Sequence, residues 1–214
     1  MSNLKNSKRL SFAYKKVYKE NALFWDLCCD HGRLGIALLK DHKKVHFVDQ
    51  VIGITKRLEA LIEKDSDIPA AMYKVTTKDI LKLNKTDISN QINYFMLLGV
   101  GADLIINFLK TYNFNQNDQF LLCAHQRSYK LREFLKKSTK FKLKDELLLE
   151  ENEQFYDFLF LDFKGKSKVS LIPSKFNSIR EKKKFCQKEI EFFTIKAQYD
   201  PHYQTLLDSY LDIL

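Results

Sequence analysis

Short apolar runs and amphipathic helical patterns alternate along the first two thirds of this 214-residue chain, and that alternation restricts the fold more than any other feature. Residues 22–27 form a compact aromatic run that leads through Cys28, Cys29, Asp30, His31 and Gly32 into Leu34, Ile36, Leu38 and Leu39 at helical spacing. Residues 45–48 are a second run ending at Asp49, followed by Ile54, Leu58, Leu61 and Ile62 with a helical period. Residues 70–75 read as a third strand, closed by Lys78 and Asp79. After a polar stretch containing Asn84, Asn90 and Asn93, residues 94–98 make a fourth strand, closed by Gly99, Val100 and Gly101 ahead of a helix over 102–110. Residues 120–124 are a fifth strand before a helix over 128–137, whose Tyr129, Leu131, Phe134 and Leu135 can face a sheet.

The runs at 143–149 and 155–163 follow each other too closely for a helix between them, so they pair as an antiparallel hairpin. A short amphipathic helix over 11–20, carrying Phe12, Ala13 and Val17, precedes the first strand. Together these patterns predict an α/β, Rossmann-like fold: a mostly parallel sheet of seven strands, doubly wound by helices, with a terminal antiparallel hairpin. Past Pro173 the composition turns lysine-rich over 180–184, then Ile190, Phe192, Phe193 and Ile195 mark a helix that Pro201 breaks, and a last helix covers 206–213. The expected organisation is a main domain over 1–172 and a small helical C-terminal appendage over 173–214.

Composition narrows the partners. A hydrophobic share of 45% and a charged share of 29% suit a packed globular core. The formal net charge of +9 biases the chain toward polyanions, RNA first, because each phosphate neutralised by Lys or Arg releases counterions. Lysine-covered faces are also ordinary solvated surface, so charge alone decides nothing. The polar, basic first ten residues carry no readable secretory signal or membrane anchor, no apolar run is long enough to span a bilayer, and a cytoplasmic location is expected. Cys28, Cys29, Cys123 and Cys186 form no paired CxxC units, so they are expected to be reduced thiols, with no metal site. A monomer is expected.

In an open parallel sheet, ligands bind beyond the carboxyl ends of the strands, near the point where strand order reverses. The polar candidates all fall there: Asp26, Cys28, Asp30, His31 and Gly32 around strand one, Asp49 and Gln50 after strand two, Asp79 and Ile80 after strand three, and Gly99 with Gly101 after strand four. Asp49 is placed to accept hydrogen bonds from both hydroxyls of a ribose, Asp79 to accept from an exocyclic amine, and Asp26 and Asp30 to face an ammonium. Gly32 and Gly35 relieve crowding in the loop. Each residue taken singly has a structural alternative: an Asp after a strand often caps a helix or shapes a turn, His31 is as well suited to supporting its loop, and Gly99 and Gly101 can simply form a turn. The chain has no GxGxxG and no GxxxxGK[ST], which disfavours dinucleotides and nucleoside triphosphates; S-adenosylmethionine, which carries no phosphate, needs neither.

Several of these local patterns, in order and at similar spacing, resemble one family: the bacterial tRNA (adenine(22)-N1) methyltransferases of class I. SKRL at 7–10 is similar to the family's basic opening, and DLCCDHGRLGIAL at 26–38 resembles its first cofactor loop. LLGVGADLI at 97–105 resembles its glycine-rich segment, LREFL at 131–135 the helix after strand five, and ENEQFYDFLFL at 151–161 its closing hairpin. The resemblance implies S-adenosyl-L-methionine as methyl donor and tRNA as substrate, with an adenine flipped into a pocket beside the cofactor. It points to Asp30 and His125 for orienting the base or handling its proton, and to Lys8, Arg9, Arg33 and Arg127 for phosphates. Departures are equally plain. Cys28 stands where the family has glycine, Arg33 where it has tyrosine, and Cys123, Ala124, His125 and Gln126 where it has a Gln-Pro-Asn motif. The C-terminal region is expected to be shorter than the family's helical domain. Two rivals stay open: a methyltransferase of another substrate, and a noncatalytic RNA-binding protein that keeps the fold.

Overall fold

The computed structural model describes residue 4, residues 7–83 and residues 92–213; Asn84 and Asn90 of the polar stretch lie outside the described residues. Seven strands form one sheet: β1 (Leu23–Leu27), β2 (Val45–Asp49), β3 (Tyr73–Thr77), β4 (Asn93–Val100), β5 (Gln119–Ala124), β6 (Lys142–Glu151) and β7 (Gln154–Asp162). Their order is β3-β2-β1-β4-β5-β7-β6. The first five are parallel, and β7 runs antiparallel between β5 and β6. The chain steps outward from β1 to β3, then returns to lay β4 on the other side of β1, so the reversal of strand order opens a crevice between β1 and β4.

Alternation along the strands sorts the core into two layers. Phe24, Phe47, Tyr94, Met96 and Phe160 pack on one face, beneath α1 (Lys8–Val17), α2 (Arg33–Lys40) and α3 (Ile52–Glu63). Trp25, Leu27, Phe95, Phe120 and Leu161 pack on the other, beneath α4 (Ala102–Thr111) and α5 (Ser128–Lys137). At the amino ends of the strands, Trp25 Nε1 donates to Asn93 Oδ1 at 3.1 Å and Asn93 Nδ2 to Asp118 Oδ1 at 2.9 Å, so that end of the sheet is closed by structural bonds.

The two C-terminal helices, α6 (Ile179–Ala197) and α7 (His202–Leu211), are packed onto the sheet domain. Phe185, Cys186, Phe193, Leu206, Leu207 and Tyr210 form a third apolar cluster with Tyr129 of α5 and Leu148 of β6. A buried ion network sits under it. Arg132 of α5 donates from Nε to Asp157 Oδ2 at 2.6 Å, and its Nη2 reaches Asp157 Oδ1 at 2.6 Å and Glu146 Oε2 at 2.7 Å. Glu146 also accepts from the Ser174 amide at 2.8 Å, which pins the segment leading into α6.

Several boundaries differ from those expected. The N-terminal helix begins at Lys8 rather than at residue 11, because Ser7 accepts from the Leu10 amide at 3.4 Å and Glu151 takes hydrogen bonds from the Ser7 hydroxyl at 3.1 Å and from the Lys8 amide. The third strand starts at Tyr73, since Ala70–Met72 make a tight 3-10 turn after Pro69. The lysine-rich 180–184 segment lies inside α6, which Ser178 caps by accepting from the Glu181 amide at 3.1 Å. The last helix begins at His202, directly after Pro201, whose fixed φ suits a helix start better than a helix interior. Among the described residues, no helix is long and apolar enough to cross a membrane, and no group of three or more His, Cys, Asp or Glu gathers to hold a metal ion.

Candidate functional site

The carboxyl ends of the parallel strands are tied together through the main chain. Beyond β1 the Cys29 amide donates to the Val48 carbonyl at 3.3 Å, and the Asp30 amide to Asp49 Oδ2 at 3.3 Å. Asp49 Oδ1 accepts from the Val51 amide at 2.9 Å, and its carbonyl accepts from the Lys78 amide at 2.9 Å. One aspartate at the end of β2 therefore holds the turns after β1, β2 and β3. The loop from Cys28 to Gly32 makes its turn with three left-handed residues: Cys28 at φ 54°, Asp30 at φ 47° and Gly32 at φ 59°.

Asp26, one residue before the end of β1, is 7% exposed, and its Oδ2 accepts from the Gly35 amide at 3.1 Å in the first turn of α2. That contact requires glycine. A Cβ at position 35 would lie 2.2 Å from Phe47 Cε1 and 2.8 Å from Asp26 Oδ2. Burial pushes the Asp26 carboxyl up to about 7; the Gly35 bond pulls it down and the charge of Asp49 adds to the rise. Burial, followed by the charges of Asp49, Asp26 and Asp79, pushes the Cys28 thiol up to about 12. Three carboxyl groups, on β1, at the end of β2 and just past β3, thus lie near enough to act on the Cys28 thiol. Cys28 keeps the left-handed backbone that a glycine would have there, with its side chain against the apolar layer of α4 and α5.

The remaining residues singled out in the sequence lie around this rim at different depths. Asp30 and His31 are exposed and approach each other at 3.8 Å, and Gln50 is exposed. Asp79 accepts from the Leu81 amide at 3.0 Å, which sets the turn that buries Ile80. Gly99, at φ 83°, sits in a bulge where β4 shifts register against β5, and the atom closest to its missing Cβ is Arg9 Nη1 at 3.9 Å. Arg9 lies over the Tyr156 ring at 4.8 Å and beside Glu151 at 3.5 Å. Lys8 lines a groove with Glu150, Arg180 and Lys184. Arg33 is exposed in the first turn of α2. Arg127, left-handed at φ 57°, precedes α5 and stands 3.9 Å from Asp103.

His125 follows β5, where its amide donates to the Val100 carbonyl at 2.8 Å. Asp30 and His125 stand beyond strands two positions apart in the sheet, about 10 Å at normal strand spacing. His125 and Arg127 also line a cavity of about 450 Å³ between the end of β5, the start of β7 and α6. Its aromatic and lysine lining from α6 escaped the sequence reading. A signal was present: Phe185, Lys188, Glu189, Phe192 and Lys196 recur at helical spacing on one face.

Residues 6–159 match the protein family described as a methyltransferase domain. The chain belongs to that family. No curated protein matches it in sequence. In overall fold it is similar to TrmK from M. capricolum, solved with S-adenosylhomocysteine, at TM-score 0.76 and 18% identity, covering 96% of each chain. It is also similar to Sp1610 from Streptococcus pneumoniae, solved with S-adenosyl-L-methionine, at TM-score 0.74 and 21% identity over 97% of this chain and 99% of that one. The B. subtilis m1A22 tRNA methyltransferase TrmK gives TM-score 0.71 and 19% identity over 98% and 95%. Coverage on that scale corrects the expectation of a shortened C-terminal region: α6 and α7 bring the chain to nearly the full length of those structures.

Proposed function

We propose that this chain is an S-adenosylmethionine-dependent methyltransferase acting on N1 of an adenine in tRNA. The observation that carries the reading is the convergence of Asp26, Asp49 and Asp79 on the left-handed Cys28 loop, at the crevice where strand order reverses. That donor set fits a ligand with an ammonium group, two ribose hydroxyls and no phosphate. Asp26 would face the ammonium. Asp49 would take the ribose hydroxyls on its remaining lone pairs, since each of its oxygens already accepts one backbone amide. Asp79 beside Ile80 would hold the adenine ring. Bound there, S-adenosylmethionine supplies an electrophilic methyl group on its sulfonium.

The chain's own residues then position and screen. Gly99 and its bulge leave the mouth beside β4 open to a flat base, and Arg9 stands over it with its charge directed by Tyr156 and Glu151. An adenine methylated on N1 is a cationic ring, so the exposed Asp30 carboxylate on one side favours it electrostatically while His125 meets the base from the other. Lys8, Arg33 and Arg127 lie on exposed surface around the same rim and would hold phosphates. The basic net charge, and the tRNA methyltransferases among structures of the same fold, support RNA over a small substrate. In this reading residues 1–172 form the catalytic domain, residues 173–214 a helical appendage, and the enzyme works in the cytoplasm with its tRNA.

Incubation of the purified chain with methyl-labelled cofactor and bulk tRNA, followed by nucleoside analysis, tests the proposal. Label in 1-methyladenosine is expected. Label in another nucleoside moves the substrate atom, label in protein or small molecules only removes tRNA, and absence of cofactor binding by calorimetry favours the noncatalytic rival.

A further inference from the structure

The 450 Å³ cavity beyond β5 is not filled by any residue assigned above to the cofactor. Its walls come from two regions far apart in sequence: the first turn of α5 with Arg127 and Tyr129, and the face of α6 that carries Lys188, Glu189, Phe192 and Lys196. Phe155 at the start of β7 and Tyr203 of α7 complete it. The aromatic rings are already ordered on one another. The Tyr129 centroid lies 6.1 Å from Phe192 and 6.1 Å from Tyr203, and the two tyrosine hydroxyls are 3.4 Å apart. Cations surround the rings, so the cavity offers flat apolar faces with positive charge at the rim.

Glu189 is the exception in that lining. It is half-buried and makes no hydrogen bond or ion pair to any described residue. Burial pushes its carboxyl up to about 7, with Lys188 pulling it down and Asp157 adding to the rise. Its carboxyl oxygens keep contact with solvent, so they can accept from a ligand that enters the cavity. Aromatic faces, peripheral cations and polar side chains, Glu189 together with Gln126, Ser128 and Gln154, are the equipment of a site for an unstacked base.

We propose that this cavity binds one unpaired nucleotide of the RNA substrate, a neighbour of the methylated adenine, stacking its base on the exposed Phe192, meeting its exocyclic amine with Glu189 and its phosphates with Lys188, Lys196 and Arg127. The proposal rests on the tRNA methyltransferase reading. The target base itself belongs over the crevice between β1 and β4, whereas the cavity opens on the far side of β5; His125 lines that cavity while its amide is bonded to Val100 of β4. The C-terminal helices thereby contribute to substrate choice and leave cofactor binding alone.

Two arms test this on the full chain. In the first, adenosine 5′-monophosphate and uridine 5′-monophosphate are titrated by NMR with S-adenosylhomocysteine in excess, so that the crevice is blocked. The adenine nucleotide is expected to bind and the uridine nucleotide, which lacks an exocyclic amine, to bind more weakly, with Glu189→Ala reducing the difference. Phe192→Ala and the surface change Lys188→Ala are each expected to weaken the adenine nucleotide about tenfold. In the second arm, the same variants should raise KM for bulk tRNA about tenfold while kcat and cofactor affinity stay fixed. Nucleotide binding unmoved by both variants overturns the proposal, and so does nucleotide binding that is lost while KM for tRNA is unchanged, which marks a site for free nucleotide. If the wild-type chain methylates no tRNA, the functional reading fails by itself, and the first arm still reads the cavity.

Discussion

The two ends of the active face are built on different principles. Around β1, β2 and β3 the site is held by main chain: five amide groups, those of Cys29, Asp30, Gly35, Val51 and Lys78, fix the carboxylates and the turns, and left-handed residues set the loop. Beyond β5 the cavity is walled by side chains carried on α5, α6 and α7, and its cations sit on long, mobile stems. A backbone-fixed rim suits one small ligand of constant shape, since nothing has to be ordered on binding. A side-chain wall suits a polymer whose local shape varies and whose phosphates need charge more than geometry. On the proposed reading, the first region holds the cofactor and the second the substrate.

Substitutions that act on one region alone break or sharpen this contrast. The largest effect is expected below the side-chain wall: Arg132→Leu leaves Asp157 and Glu146 buried without their partner and should destabilise the fold by about 3–5 kcal/mol in chemical denaturation. At the opposite rim, Asp49→Ala should reduce cofactor affinity by about 2–3 kcal/mol in calorimetry, while tRNA affinity measured without cofactor changes little. Unchanged cofactor affinity rejects the ribose assignment. Gly35→Ala drives a Cβ into Phe47 and Asp26, and a loss of about 1–3 kcal/mol in thermal unfolding is expected, with weakened cofactor binding.

A pH series probes the same carboxylate. Asp26 is raised to about 7 in the free protein, so it is largely neutral below that value and charged above it. A cofactor ammonium prefers the carboxylate, which means that binding releases a proton and affinity rises with pH, by about tenfold from about pH 6 to pH 8. Asp26→Asn should flatten the profile, and a profile of opposite slope rules out the ammonium pairing. The smallest effect is assigned to Cys28→Gly: removing a side chain from a left-handed residue should stabilise the chain by about 1 kcal/mol or less, after the lost apolar contact is subtracted, with cofactor affinity unchanged.

Most of the first region was legible in the sequence, because its ingredients are local. Apolar runs closed by Asp26, Asp49 and Asp79 announce strands and their carboxyl ends, and the hairpin at β6 and β7 follows from the lack of room for a helix. Cys28 stands where the resembled family has glycine, and the backbone takes the left-handed turn there all the same, with the neighbouring amides anchored on Val48 and Asp49. The second region was read less well. Arg132 passed as one residue of a helical pattern, although it is buried against two acids from β6 and β7. The tail is legible in the sequence as a helical appendage without its contacts, which the fold supplies: Phe185, Phe193 and Tyr210 pack against Tyr129 and Leu148.

By itself the sequence determined the class of the fold, the seven strands and the acidic ends of the first three, since period and turn chemistry are properties of neighbouring residues. Only the tertiary structure decided that Asp49 clasps the turns after three strands, that Gly35 must be bare beneath Phe47, and that α6, which begins 42 residues after α5 ends, closes a cavity over it. Those facts depend on which surfaces meet when the sheet twists and its helices pack, and pairings at long range leave no periodic trace in the chain.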